Sequence, residues 1–272
     1  MNVGERRARF HELHERNQLF VMPNPWDVGS ARLLESLGFE ALATTSGGLA
    51  WTVGKLDTQV TRDELVAHVR ALSEAIDVPL NVDSERCYPD DPGGVAETVA
   101  QLEAAGASGF SIEDYDPATD GIDELGLATK RVEIAADAAH SSPARLVLTA
   151  RCENHLHGID DLDDTIERLI AYREAGADAV YAPWLTDLGQ IERLVEAVGA
   201  PVNVLAVPDG PSISELASVG VRRISTGSLL ARAAYGALVA GARELQTDGT
   251  SRYADSGAPR ELLASAFSGG VT

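Results

Sequence analysis

Residues 101–114 read QLEAAGASGFSIED. Helix-forming residues end at Gly106, a short apolar segment follows over 109–113, and two acids, Glu113 and Asp114, stand where that segment stops. Glycine suits the end of a helix because the closing residue needs a positive φ. A short apolar run bounded by polar residues reads as a strand buried on both faces. The same order recurs along the chain. LLESLGFE (33–40), YREAGAD (172–178), LVEAVGAP (194–201) and LASVGV (216–221) each lead into another apolar run. Eight candidate strands result, at 20–23, 41–45, 80–83, 109–113, 146–151, 179–182, 202–206 and 223–226. Helical stretches such as 62–75, 95–105, 160–175 and 188–198 lie between them. Strands alternating with helices form a parallel sheet, and eight of them predict a closed (β/α)8 barrel of the TIM type; a doubly wound open sheet is the alternative. A chain of 272 residues is ordinary for one such α/β domain. We place an N-terminal helix before it, its core at about 18–247, and a Gly/Ser-rich C-terminal arm at 248–272 that can pack on a neighbour.

Forty-two acids against 22 Lys plus Arg leave a formal charge of -20, which repels nucleic acid and anionic lipid. An anionic substrate therefore needs local positive charge at its site. Two cysteines, Cys87 and Cys152, make no disulfide framework or zinc-finger spacing. The start, MNVGERRARFHELHERN, has no apolar signal core, and no run approaches the ~20 apolar residues of a membrane span. A cytoplasmic protein is expected.

Chemistry in such barrels sits at the C-terminal ends of the strands. Here the second strand runs into Thr44-Thr45-Ser46-Gly47-Gly48, the third ends in Asp83-Ser84-Glu85, the fourth in Glu113-Asp114 and the fifth in Arg151, followed by Glu153; Asn203 lies in the seventh. Asp57 is on the loop after the second strand. Carboxylates converging on one mouth repel one another unless a cation or protons intervene. Carboxylates with water as co-ligand suit Mg²⁺ or Mn²⁺. Arg151 offers a bidentate donor to a substrate carboxylate or phosphonate. Ser46-Gly47-Gly48 presents backbone N–H groups that an anionic oxygen can approach closely. Taken singly, each has an ordinary alternative: Asp83 as a helix cap, Ser-Gly-Gly as a turn, Arg151 as the partner of Glu113 or Glu153. Their placement at successive strand ends favours a site.

The segments NPWDVGSARLLE (24–35), ATTSGG (43–48), NVDSE (81–85), SIED (111–114), LTAR (148–151), AGADAVYAP (175–183) and PVNV (201–204) resemble, in order and spacing, the isocitrate lyase/phosphoenolpyruvate mutase superfamily. The resemblance spans roughly 15–245. It implies a barrel, usually tetrameric with a swapped C-terminal helix, and a Mg²⁺ site. It also implies a small 2-oxo or 2-hydroxy acid substrate whose C–C or P–C bond is made or broken beside an enolate-like unit. By position it makes Asp83 the direct metal ligand, with Asp57, Glu85 and Glu113 acting through water. It makes Ser46, Gly47 and Gly48 the carboxylate-binding loop, and Arg151 and Asn203 substrate contacts. Asp57, Glu113 and Arg151 are the candidate catalytic residues.

Two departures bear on the reaction. The superfamily's gating loop follows the fourth strand and carries a Cys in lyases, or Lys with Asn in phosphonomutases; YDPATDGIDELG (115–126) has neither, and no His. At the sixth strand, where many lyases have Glu, this chain has Tyr181-Ala182-Pro183-Trp184, which predicts a smaller, less polar distal pocket and a shorter substrate. Cys87, Tyr115 and, less well placed, Cys152 are candidates to replace the missing acid/base, set against the ordinary reading of both cysteines as small, partly buried thiols. His155 and His157 read as loop residues, and Asp27 as an N-cap. Three functions follow: decarboxylation of an oxaloacetate-like acid, C–C or P–C cleavage with another acid/base, and metabolite binding without turnover.

Overall fold

The computed structural model describes residues 1–142 and 144–268. Eight of its strands are β1 (Phe20–Met22), β2 (Leu42–Ala43), β3 (Leu80–Asp83), β4 (Gly109–Glu113), β7 (Val147–Arg151), β8 (Ala179–Tyr181), β9 (Val202–Leu205) and β10 (Arg223–Ser225); β5 (Tyr115–Asp116) and β6 (Gly121–Ile122) form a separate antiparallel hairpin. The eight pair in parallel in the order β1-β10-β9-β8-β7-β4-β3-β2. The Ala43 N–H donates to the Pro23 carbonyl at 3.1 Å, which joins the two end strands and closes the barrel. This is the (β/α)8 architecture expected from the alternating pattern. The β5–β6 hairpin is not predicted by the sequence pattern, because its two rungs are too short to show a period and Gly and Asp occupy half of its strand positions.

The strands are short and buried because helices cover their outer face. Two-residue periodicity is therefore absent and continuous apolar runs replace it. A second apolar cluster lies at the N-terminal end of the barrel, where Phe10 and Leu13 of the helix Val3–Glu15 pack against Phe20, Met22, Ala41, Ala43 and Val147. That helix is anchored by two guanidiniums: Arg6 donates to the Ser73 and Ile76 carbonyls, both at 2.6 Å, and Arg7 to the Glu103 and Ala107 carbonyls at 2.7 and 3.0 Å. The barrel is thus plugged at one end and open at the other. The helix Arg260–Ser268 of the C-terminal arm packs on the helix Val28–Ser36 of its own chain. No described helix is long and apolar enough to cross a membrane.

Candidate active site

A cavity of about 380 Å³ enters at the C-terminal ends of the strands and continues into the barrel. Its lining includes Ser46, Asp57, Asp83, Arg151 and Asn203, so five of the residues expected from sequence meet there. Glu85 and Glu113 stand behind this wall, and Gly47 and Gly48 are buried beside it.

Arg151 ends β7 and is the hub. Its Nη1 donates to Asp83 Oδ1 at 2.7 Å, its Nε to Glu153 Oε1 at 2.7 Å, and its Nη2 lies 3.3 Å from Glu113 Oε2. The Tyr181 ring packs against the guanidinium, 5.3 Å from ring centre to Cζ. Burial works against the Arg151 charge, but Glu153, Glu113 and Asp83 outweigh it and hold its pKa well above the ordinary value. Glu153, which is 1% exposed, was read from sequence only as an alternative partner for Arg151. It is one of the three acids that hold Arg151 in place.

Asp83, Glu113 and Glu153 therefore share one guanidinium, and Asp57 and Glu85 lie near enough to feel its charge. Burial, then Asp83 and Asp57, raise Glu85 to about 8. Glu153 rises to about 7, chiefly through burial, although Arg151 opposes the shift. Burial also raises Asp57 and Glu113. Uncompensated negative charge in a desolvated place is chemically suited to a divalent cation. As the side chains stand, no three His, Cys, Asp or Glu groups among the described residues converge tightly enough to chelate one directly. The arrangement fits a single direct ligand with the remaining acids reaching an ion through water. Asp83 lines the cavity, with Oδ1 held by Arg151 and Oδ2 accepting from the Ser46 N–H at 3.1 Å.

Ser46, Gly47 and Gly48 are not a loop. They form the first turn of the helix Ser46–Thr52, capped by Thr45, because the Thr45 hydroxyl satisfies the Gly48 N–H. The two glycines are required by packing. A Cβ on Gly48 would lie 2.5 Å from Thr45 Cγ2 and 2.9 Å from Trp26 Cβ; one on Gly47 would lie 2.9 Å from Ser228 Oγ and 3.1 Å from Asp57 Oδ2. Asp27 caps the helix Val28–Ser36 through the Ser30 N–H at 2.7 Å, as expected.

The hairpin after β4 is braced. Asp123 pairs with Arg131 and, at 3.4 Å, with Arg86; Arg86 also reaches Asp116 at 2.8 Å. Arg168 donates to the Asp123 carbonyl at 2.9 Å. At its base Asp114, 1% exposed, accepts from Tyr172 Oη at 2.7 Å and from the Glu153 N–H at 2.9 Å. Arg86 and Arg131 thus neutralise Asp116 and Asp123, and Arg168 lies 3.4 Å from Asp114 at the base.

The structure removes each proposed replacement for the missing acid/base. Cys87 is buried in the apolar core, 3.0 Å from Ser84 Oγ, and burial pushes its thiol up to about 12. Cys152 is buried and likewise raised. Tyr115 stacks on His157, ring centres 3.7 Å apart, and donates to Asp120 at 2.7 Å; it does not line the cavity. Sequence order placed Cys87 near the mouth, but the left-handed turn at Glu85, Cys87 and Tyr88 changes the direction of the chain. His155 and His157 are loop residues, as expected. Pro183 and Trp184 line the distal side of the cavity together with Leu156, in line with a less polar pocket.

A metal-suited barrel mouth with a guanidinium beside it defines an enzyme of the lyase and mutase type. The chain belongs to the phosphoenolpyruvate phosphomutase family, whose model matches residues 10–246. A crystal structure of a Burkholderia cenocepacia protein, provisionally assigned as a lyase/mutase, superposes with a TM-score of 0.92 at 46% identity, covering 97% of this chain and 96% of that one. An uncharacterized protein of Mycobacterium tuberculosis is 37% identical over 222 residues, 81% of this chain and 82% of that protein. An oxaloacetate decarboxylase of Paraburkholderia xenovorans is 33% identical over 235 residues, 82% of this chain and 75% of the enzyme. Enzymes of the family generally depend on a divalent metal.

Proposed function

We propose that the chain is a Mg²⁺-dependent carbon–carbon lyase that decarboxylates a small 2-oxo diacid of the oxaloacetate type. The observation that carries this is the cluster of five carboxylates at the open end of the barrel, three of them paired with Arg151, with Asp83 and Arg151 both lining the cavity.

In the reaction, the bond between C3 and the distal carboxyl carbon breaks and CO2 leaves. The bonding electrons move to the C2 oxygen as an enolate, and C3 then takes a proton from water to give the shorter 2-oxo acid. When bound, a divalent cation supplies Lewis-acid stabilisation of the charge on that oxygen. Asp83 would hold it, with Asp57, Glu85 and Glu113 acting through water. Arg151, kept protonated by its three acids, adds fixed positive charge beside the developing anion. Asn203 orients the substrate. The reaction needs no acid/base on a mobile loop, which agrees with the braced, Cys-, Lys- and His-free hairpin after β4 and makes this reading preferable to P–C transfer.

The same reading makes the enzyme cytoplasmic, where its two thiols stay reduced, and homo-oligomeric. In the helix Leu229–Thr247 only Ala231 and Gly241 are buried, and Leu238, Val239 and Leu245 offer copies an apolar surface to share.

Mass spectrometry of a 2-oxo acid panel with Mg²⁺ tests the assignment. Pyruvate and CO2 should appear from oxaloacetate well above the metal-only rate, and Asp83→Ala should abolish the excess while the circular dichroism spectrum is retained. An undiminished rate in that variant refutes the site, and oxalate binding without turnover across the panel would mark a metabolite-binding protein.

A further inference from the structure

Below the carboxylate cluster the cavity reaches a polar floor. It is lined there by Asn81, Asn203 and Arg223, where barrels of this kind usually pack apolar side chains. Arg223 is 2% exposed and, among the described residues, has no carboxylate partner. Its Nε donates to Asn203 Oδ1 at 2.9 Å and its Nη2 to Thr149 Oγ1 at 2.9 Å. Its Nη1 lies 3.1 Å from His14 Nε2. His14 Nδ1 sits 2.8 Å from the Phe10 carbonyl, which makes Nδ1 the protonated nitrogen and Nε2 the acceptor. Three neutral acceptors thus take three of the five guanidinium donors, and two remain.

A buried charge without an opposite charge costs several kcal/mol. Arg151, the other buried cation lining this cavity, is held by three acids, whereas Arg223 is bonded only to neutral groups. Asn81 repeats the pattern. It is 4% exposed, its side-chain oxygen has no hydrogen-bond partner, and its amide makes no bond among the described residues. Asn203 is held from both sides: Arg223 fixes its oxygen and its Nδ2 donates to Ser225 Oγ at 2.9 Å, leaving one N–H. The unused donors on this floor, two on Arg223, one on Asn203 and those of the Asn81 amide nitrogen, suit a ligand made of acceptors.

We propose that the floor formed by Arg223, Asn203 and Asn81 is a carboxylate subsite that seats one end of the acid substrate. Arg223 supplies the attracting charge and positions Asn203. This rests on the acid-substrate reading above; the resemblance supplies Asn203 as a substrate contact, and Arg223 and Asn81 are the recognition elements it lacks.

The test measures oxalate binding calorimetrically with Mg²⁺ present, alongside thermal unfolding. Arg223→Gln should weaken oxalate about 10–100-fold, the loss expected for a charged hydrogen bond. Arg223→Lys should recover part of it. Thr149→Val removes an anchor but keeps the charge; it should lower the unfolding temperature and leave affinity within about twofold. Parallel losses in Arg223→Gln and Thr149→Val would make Arg223 merely structural, and an unchanged affinity in Arg223→Gln would remove the subsite. Should Arg223→Gln fail to fold, Asn81→Asp reads the same floor: a near-isosteric negative charge should exclude oxalate, and undiminished binding overturns the proposal. If the unaltered protein does not bind oxalate with Mg²⁺, the functional reading falls and the subsite with it; if it binds and the floor variants bind equally well, only the subsite falls.

Discussion

Glu85→Gln should make the metal-free protein more stable at alkaline pH and leave it nearly unchanged at acid pH. In the folded chain Glu85 titrates at about 8, against 4.5 for an ordinary Glu, because burial and the neighbouring Asp83 and Asp57 disfavour its charge. A carboxyl raised on folding binds more protons in the native state than in the unfolded one. Its contribution is present below the unfolded value and is lost as pH rises through the folded value. The window therefore runs from about pH 4.5 to about pH 8. At about 1.4 kcal/mol per unit the rise sets a ceiling of about 5 kcal/mol. Solvent reaches this partly buried side chain, and about 2 kcal/mol is the expected net effect. Glutamine keeps the shape and removes the titration, so the wild-type protein should fall below the variant by that amount near pH 9 and match it near pH 5. Urea denaturation in EDTA at several pH values provides the measurement. Excess Mg²⁺ should then restore the wild type at high pH more than the variant, because the cation replaces the protons. Identical slopes for the two proteins in EDTA, or no Mg²⁺ effect on either, would refute the claim that these acids crowd one another at a cation site.

Two further outcomes are expected. Asp123→Asn should weaken the bracing of the hairpin, costing about 3 kcal/mol as Arg131 and Arg86 lose a buried partner; faster proteolytic cleavage within 115–122 would report it, and an unchanged cleavage rate would show the hairpin is held by other means. Gly48→Ala should cost about 1–3 kcal/mol through overlap with Thr45 and Trp26, read as a lowered midpoint in urea; a neutral result would mean that the first turn of the helix Ser46–Thr52 relaxes.

The placement of individual residues shows how far the chain could be read without coordinates. Leu80–Asp83 and Gly109–Glu113 match their expected bounds, and the other barrel strands differ by three residues at most. Parallel strands covered by helices must be apolar throughout, and their closing acids cannot be buried without a partner, so both ends are marked chemically. Asp57, Asp83, Arg151 and Asn203 share a cavity for the same reason: polar residues at successive strand ends of a closed barrel have one mouth to face.

Whether Cys87 or Tyr115 faces the mouth could not be read from sequence, because side-chain directions there depend on turns, and a left-handed backbone at Glu85 and Cys87 cannot be deduced from neighbouring residue types. Arg223 left no local signal, since an arginine opening a strand is ordinary. Its meaning comes from what surrounds it, Thr149 and His14 being 74 and 209 positions away in the chain. Local patterning alone determined the barrel and which acids gather at its mouth, because helix period, strand length and capping act over a few residues. Which charges are paired, which stand alone and which thiols are buried was decided only by the closed barrel, because pairing and desolvation depend on distances between segments far apart in sequence.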